Sequence, residues 1–405
     1  MKTQNRYLYL DYLRGVIVAL VVLDHSLQAY APHFAKFWFL PDLDRNVIFD
    51  IFHMNNNSFI MPILFFISGI FLIPSLERRG VLSFAKERFI KLVLPFVIGL
   101  PLLSPVVSYA GELAEQGASA PNYIDFWIES MMADNIQVGI FWFLYYLTLM
   151  VVIFAFLHKV LPFVTRWIVN FVSWMFYNPL KGFIVFCLIS AIFLGVSDLK
   201  WGAPWFIGWG RVFHVQASRF MLLSFYFLVG VGLGGSRILQ DEAFWKKMAL
   251  NWRFFLISTL IVGTLYIGYT LSNLDNGVYN MDFRQFLREG GFSNEYLEVP
   301  YESIILVLTR TTLHGIFCAL QTLTCLAIFY RFFNHENETL HSLSVSSYGI
   351  YLIHESFVVW LNYFMYGDEL PVVIKFLITF SVSLTVSWVI VKNVLMKIPG
   401  LRRIL

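Results

Sequence analysis

The stretch RGVIVALVVLDH, Arg14 to His25, sets nine uncharged and mostly aliphatic residues between an arginine and an Asp-His pair. A run this apolar belongs in hydrocarbon, where an arginine at mid-depth costs about 3 kcal/mol or more. On a helix, eleven residues advance ~16 Å and complete about three turns, so Arg14 and His25 fall on nearly the same face, one above the other. Ionisable groups in such a segment turn towards protein or water and mark function. The stretch is therefore both a membrane helix and a candidate site.

The rest of the chain agrees. Of 405 residues 58% are hydrophobic and 14% charged, where a soluble domain carries about a quarter charged residues. The fold class expected is an all-α polytopic membrane protein. The net charge of +3 says little by itself, and neither nucleic acid nor metal is expected as a partner. Cys187, Cys318 and Cys325 lie inside apolar runs and read as small buried residues, not as a disulfide framework or a metal site. Ala29-Tyr30-Ala31 superficially matches a signal-peptidase site, but Pro32 follows it and Asp24-His25 interrupts the approach, so the first helix is expected to stay.

Apolar runs of spanning length occur at 12–31, 57–76, 89–109, 138–157, 181–197, 219–236, 253–271, 303–330, 346–366 and 371–392, giving a bundle of about ten transmembrane helices. The aromatic-rich segments 160–180 and 201–216 suit the interface. Lys2, Arg6, Arg78, Arg79, Lys86, Arg88, Lys91, Lys159, Arg166, Lys181, Arg237, Lys246, Lys247, Arg253, Lys392, Lys397, Arg402 and Arg403 fall on one side. The loop 110–137 on the other side carries five acidic residues and no Lys or Arg. By the positive-inside rule both termini are cytoplasmic. The longest loop, 272–302, is then extracytoplasmic and reads as a lid or as a plain connection.

That topology puts polar groups from four segments at similar depth. They are His25 on the first helix; His53, Asn55, Asn56, Asn57 and Ser58 at the start of the second; Arg310 and His314 on the eighth; and Ser347, Tyr351, His354 and Glu355 on the ninth. Polar side chains in a bundle seek one another, so one interior cavity lined by all four is expected. Each also has a structural reading: His25 as a helix bridge, Arg14 as an interfacial anchor, Arg310 and His314 as bundle glue, the Asn run as a helix cap. Asp24 sits about 100° around the helix from His25 and is poorly aimed to orient its ring; Glu355 is the freer candidate.

These residues resemble the membrane-bound acyltransferase family 3. LDYLRG with Asp24-His25 is similar to that family's first helix, whose signature is an Arg, ten residues and a His. FIMPILFFISGIFL (59–72), ERFIKLVLP (87–95), IFWFLYYL (140–147) and SSYGIYLIHESF (346–357) match further family segments in family order. Within the family, PFVIGLPLLSP (95–105) and the tail KIPGLRRIL look most like the glucans biosynthesis protein C branch, associated with succinylation of osmoregulated periplasmic glucans. Two departures stand out. The second arginine common at the third helix is Lys91, which keeps the charge without the bidentate fork. The usual His-Leu before Trp-Phe-Leu is Ile140-Phe141.

The resemblance implies a single acyltransferase-3-like domain over 1–405, without a separate soluble domain. It implies an integral-membrane O-acyltransferase of the bacterial inner membrane, with acetyl-CoA or succinyl-CoA as co-substrate and an extracytoplasmic carbohydrate as acceptor. His25 is then the general base, with Arg14 assisting the acyl-CoA or an oxyanion. His354, Glu355, Arg310, His314 and Tyr351 form a supporting polar cluster. Arg88, Lys91, Arg78, Arg79 and Lys86 face the CoA phosphates, or only enforce topology. The rival readings are a polytopic transporter of a small polar or carbohydrate-linked solute, and a scaffold whose polar residues only join helices.

Overall fold

The computed structural model describes residues 7–133, 136–201, 206–209, 212–273 and 304–405. In chain order the helices are α1 (Leu8–Gln28), α2 (Val47–Ile70), α3 (Leu72–Arg79), α4 (Val81–Arg88), α5 (Leu94–Gln116), α6 (Tyr123–Met132), α7 (Trp142–Val160), α8 (Pro162–Tyr177), α9 (Pro179–Trp201), α10 (Ala217–Gly234), α11 (Glu242–Leu250), α12 (Trp252–Leu271), α13 (Ile304–Phe332), α14 (Glu338–Phe364), α15 (Val372–Asn393) and α16 (Leu401–Ile404). Each of the ten apolar runs falls on a long helix: α1, α2, α5, α7, α9, α10, α12, α13, α14 or α15. Seven helical stretches are long and apolar enough to cross a membrane. α1, α10 and α14 lie outside those seven, and they carry His25, Arg219 and His354 respectively. Among the described residues the only strands are β1 (Phe206–Trp209) and β2 (Phe213–Gln216), an antiparallel pair with Phe206 opposite Gln216.

One segment differs from its sequence reading, and a second takes a defined place in the bundle. The second helix begins at Val47, ten residues before the apolar run, because the Asn46 side chain accepts from Ile48 N–H and caps it. Asn55, Asn56, Asn57 and Ser58 are therefore inside α2 and not at its cap. Their polar groups are tolerated because neighbouring helices meet them: Ser58 Oγ lies 2.5 Å from Gln321 Oε1, and Gln321 Nε2 donates to Asn55 Oδ1 at 3.1 Å. The segment 160–180 contains α8, which covers the end of α10 and does not run its length. Ile168, Val169 and Val172 crowd Gly232 and Gly235, while Phe176 and Tyr177 reach Phe244 and Asp241 beyond α10. The loop expected as a lid lies almost wholly outside the described residues.

Four prolines interrupt helical ladders, and at two of them a side chain attends the carbonyl four residues earlier. Pro105 leaves the Pro101 carbonyl free, and Trp127 Nε1–H donates to it at 2.8 Å. Pro95 cannot donate to Lys91, whose carbonyl accepts from the Tyr348 hydroxyl; Lys91 sits in the π-turn Phe89–Val93 that leads into α5. Pro62 and Pro101 likewise leave the Ser58 and Val97 carbonyls without a ladder bond.

Helix directions follow from paired contacts. α1 and α14 run parallel, since Gly15 abuts Ser344, His25 meets His354, and Tyr30 O–H donates to Asn362 at 3.3 Å. α2 and α10 also run parallel, from Asn57–Arg219 through Phe66–Gly230 to Ile70–Gly234. Gly230 and Gly234 form a GxxxG pattern: a Cβ on either would collide with the carbonyl of Phe66 or Ile70, so only glycine permits this approach. α16 packs on the π-turn, and Asn337, before α14, donates to Tyr12 of α1. The first and last described segments thus share one end of the bundle.

Candidate active site

The centre is a contact between two imidazoles. His25 Nδ1 lies 3.0 Å from His354 Nε2, with ring planes 19° apart. Which nitrogen carries each proton follows from the other bonds. His354 Nδ1 faces the Tyr351 carbonyl at 2.7 Å and the Ile350 carbonyl at 3.2 Å. A carbonyl only accepts, so His354 Nδ1 carries the hydrogen and its Nε2 offers a lone pair. His25 Nδ1–H donates to that lone pair. His25 Nε2 is left unprotonated, and among the described residues it has no hydrogen-bond partner. His354 is fully buried while His25 is half-buried, so the ring with the available lone pair is also the more open one.

Beside this pair lies a third histidine, held by a different set. His53 Nδ1–H donates to Asp24 Oδ1 at 3.2 Å, and Asn57 Nδ2 donates to His53 Nε2 at 3.4 Å. Arg219 Nη1 in turn donates to Asn57 Oδ1 at 2.5 Å and to its backbone carbonyl at 3.1 Å. One short turn roofs both histidines: Phe34 packs on His53 with centroids 4.6 Å apart, Trp38 on His25 at 5.3 Å, and the 3-10 turn Ala35–Phe37 joins them. Asp24 therefore serves His53, as its angular offset from His25 requires.

Glu355 takes another task than orienting His25. Its Oε2 accepts from Ile140 N–H at 3.4 Å, while the Tyr351 hydroxyl donates to the Ile140 carbonyl. Both backbone groups of Ile140 are thus held by α14, one turn apart. Gly139 before it has φ +44° and lies so close that a Cβ would touch the Glu355 carboxylate. Phe143 then fits between Phe65 at 5.1 Å and Tyr351 at 5.5 Å, which spaces α2 from α14.

At the end bearing the termini, Arg14 Nη2 donates to the Ser344 carbonyl at 3.3 Å and pairs with Asp11 at 3.6 Å. Arg14, Arg79 and Arg88 all act electrostatically on Lys91, so four cations share one mouth. Two carboxylates stand among them: Asp11 on Arg14, and Glu87 bridging Arg79 and Lys91 (3.1 Å to the latter). Arg88 lies over the Phe84 ring at 5.0 Å, with its Nε buried and unpartnered. Arg78 and Lys86 are exposed, and no hydrogen bond or ion pair joins them to this cluster.

Arg310 and His314 are not brought to His25. Arg310 donates to Asp198 on α9 at 2.7 Å, both groups buried, and His314 stacks on Tyr266 of α12 at 4.9 Å. The polar groups expected at one depth divide into a site between α1, α2, α10 and α14 and a brace among α9, α12 and α13, which adjoins α2 through Gln321 on Asn55 and Ser58. Among the described residues no group of three or more His, Cys, Asp or Glu is placed to hold a metal.

A family pattern described as an acyltransferase domain, that of acyltransferase 3, matches residues 7–392. The chain belongs to that family. No significant match is found among curated proteins or among solved structures. Sequence reasoning passed over Trp38 and Arg219 in this acyltransferase, and it placed His53 and Asn57 at the cavity's depth without giving either a role. The available signal was strongest for Arg219, a lone guanidinium at the head of the apolar run 219–236. For His53 and Asn57 the signal was weak, since polar residues before an apolar run ordinarily mean a cap.

Proposed function

We propose that this acyltransferase moves an acetyl or succinyl group from cytoplasmic acyl-CoA to a hydroxyl of an extracytoplasmic envelope carbohydrate, in a bacterial inner membrane. The observation that carries the reading is that the same two helices, α1 and α14, hold both ends of a path. Arg14 meets Ser344 within the four-cation mouth, and ~16 Å further along α1 His25 meets His354. The mouth suits the phosphates of CoA, and the distance suits the pantetheine arm that carries the thioester inward.

The steps balance with His25 as the only proton carrier. Its unprotonated Nε2 takes the proton of the attacking hydroxyl as the oxygen bonds to the thioester carbonyl carbon. The carbon–sulfur bond then breaks, and the imidazolium returns the proton to the leaving thiolate, giving ester and CoA thiol. His354 is a positioning residue that keeps Nε2 as the basic atom.

Purified protein should release CoA thiol from acyl-CoA, and mass spectrometry should find acylated envelope glycan only in cells that contain the protein. Solute flux without acyl-CoA consumption would defeat the reading. Replacing the acceptor, His354→Leu, should lower kcat roughly 10–100-fold while acyl-CoA affinity holds, and His354→Gln, which restores an acceptor oxygen, should recover part of the loss. A purely packing role for His354 predicts no recovery. Arg88→Ala should raise KM for acyl-CoA about tenfold with kcat nearly unchanged, the effect shrinking at high salt; an unchanged KM would remove Arg88 from the donor site.

A further inference from the structure

We propose that Arg219 is a carboxylate-binding subsite of the His25 crevice, reading a carboxylate that one of the two substrates brings in; the inference rests on the acyl-transfer reading above. It starts from a contrast between two buried cations, Arg310 and Lys375, and the half-buried Arg219. Arg310 is paired directly with Asp198 at 2.7 Å, and Lys375 with Asp42 at 3.1 Å. Arg219 has no carboxylate within ion-pair distance among the described residues. A guanidinium set into a membrane bundle calls for an anion, and the carboxylate its hydrogen bonds lead to, Asp24, is reached through two intermediates, Asn57 and His53.

Those intermediates are directional. Arg219 donates to Asn57, Asn57 donates to His53, and His53 donates to Asp24. No group in the series can be reversed, because a guanidinium only donates and a carboxylate only accepts. The series uses Nη1 alone. Nε and Nη2, the edge that takes a carboxylate with two parallel bonds, have no partner among the described residues, and neither atom is sealed from solvent. The chain of bonds therefore fixes the orientation of the fork while leaving its bidentate edge open.

The edge belongs to the same crevice as the base. His53, second in the series from Asp24, sits beside His25 under the single turn that carries Phe34 and Trp38, and acts on His25 electrostatically. His25, Asn57 and Arg219 are all half-buried, as the walls of one opening would be. A ligand whose reacting atom lies at His25 Nε2 thus has its anionic end within reach of Arg219. A carboxylate on the acyl chain and a carboxylate on the acceptor both satisfy this geometry.

The test uses full-length protein in detergent, with Arg219→Gln and Arg219→Lys, each checked for a monodisperse elution profile. Displacement of labelled CoA by succinyl-CoA and by acetyl-CoA gives a donor ratio, with CoA itself as internal reference. Transfer from acetyl-CoA to glucuronate and to glucose gives an acceptor ratio. A tenfold or greater preference for succinyl-CoA that falls to within twofold in Arg219→Gln places the carboxylate on the acyl chain. The same collapse in the glucuronate-to-glucose ratio places it on the acceptor. Arg219→Lys, which keeps the charge and loses the fork, should retain an intermediate preference. Neither ratio moving more than twofold overturns the inference while leaving acyl transfer standing; no binding of any acyl-CoA by the wild-type protein overturns both.

Discussion

His25→Ala should slow acyl transfer by roughly 10²–10⁴-fold, the usual contribution of a positioned general base, in a protein that still inserts and elutes as a single species. The expectation of retained folding comes from the surroundings. His25 is half-buried, its hydrogen bond is to a neutral imidazole, and the small residue leaves no charge stranded. His354 keeps its bonds to the Tyr351 and Ile350 carbonyls. CoA binding at the four-cation mouth, ~16 Å away along α1, should be intact, so the loss should appear in kcat and not in donor KM. Thiol release at the wild-type rate from a correctly inserted His25→Ala protein would remove the imidazole from the chemistry.

Gly230→Val should be among the most destructive single changes in the bundle. A Cβ there collides with the backbone carbonyl of Phe66, and a backbone on one helix cannot rotate aside as a side chain would. Overpacking of this sort costs about 3 kcal/mol or more when no flexible neighbour can yield. Because α2 carries His53 and Asn57 while α10 carries Arg219, forcing these helices apart should also break the Arg219–Asn57 contact. Gly268 on α12 provides the matched control, since a Cβ there meets nothing within 4 Å. Gly268→Val should stay within about 1 kcal/mol of the parent. Thermal denaturation of the two variants in one detergent decides the matter: equal melting temperatures would mean that the close approach of α2 and α10 contributes nothing.

How far the site can be read from sequence depends on which residue is asked about. His25 and Arg14 stand out because a charge or imidazole interrupts an aliphatic helix, which is unfavourable unless something repays it. His354 lies at helical spacing from Tyr351, and its face could be predicted, although not that it meets His25. Arg310 and His314 were equally conspicuous and engage other groups, one Asp198 and the other the Tyr266 ring. Depth placed all four groups at one level; it carried no information on rotation about the helix axis. Glu355 shows the same limit at closer range, being next in sequence to His354 yet engaged with Ile140.

The amino-acid sequence alone determined that this protein is a bundle of membrane-length helices, which residues inside it are ionisable, and, through its family motifs, that it is an acyltransferase. Those properties are local, set by hydropathy over some twenty residues and by residue identity at fixed spacing. Only the tertiary structure decided that His354 and not Glu355 faces His25, that Asp24 serves His53, and that Arg219 keeps one edge open. Each of these depends on how helices far apart in the chain are rotated against one another, and that rotation is set by close contacts such as Gly15 on Ser344 and Gly230 on Phe66, which no single helix contains.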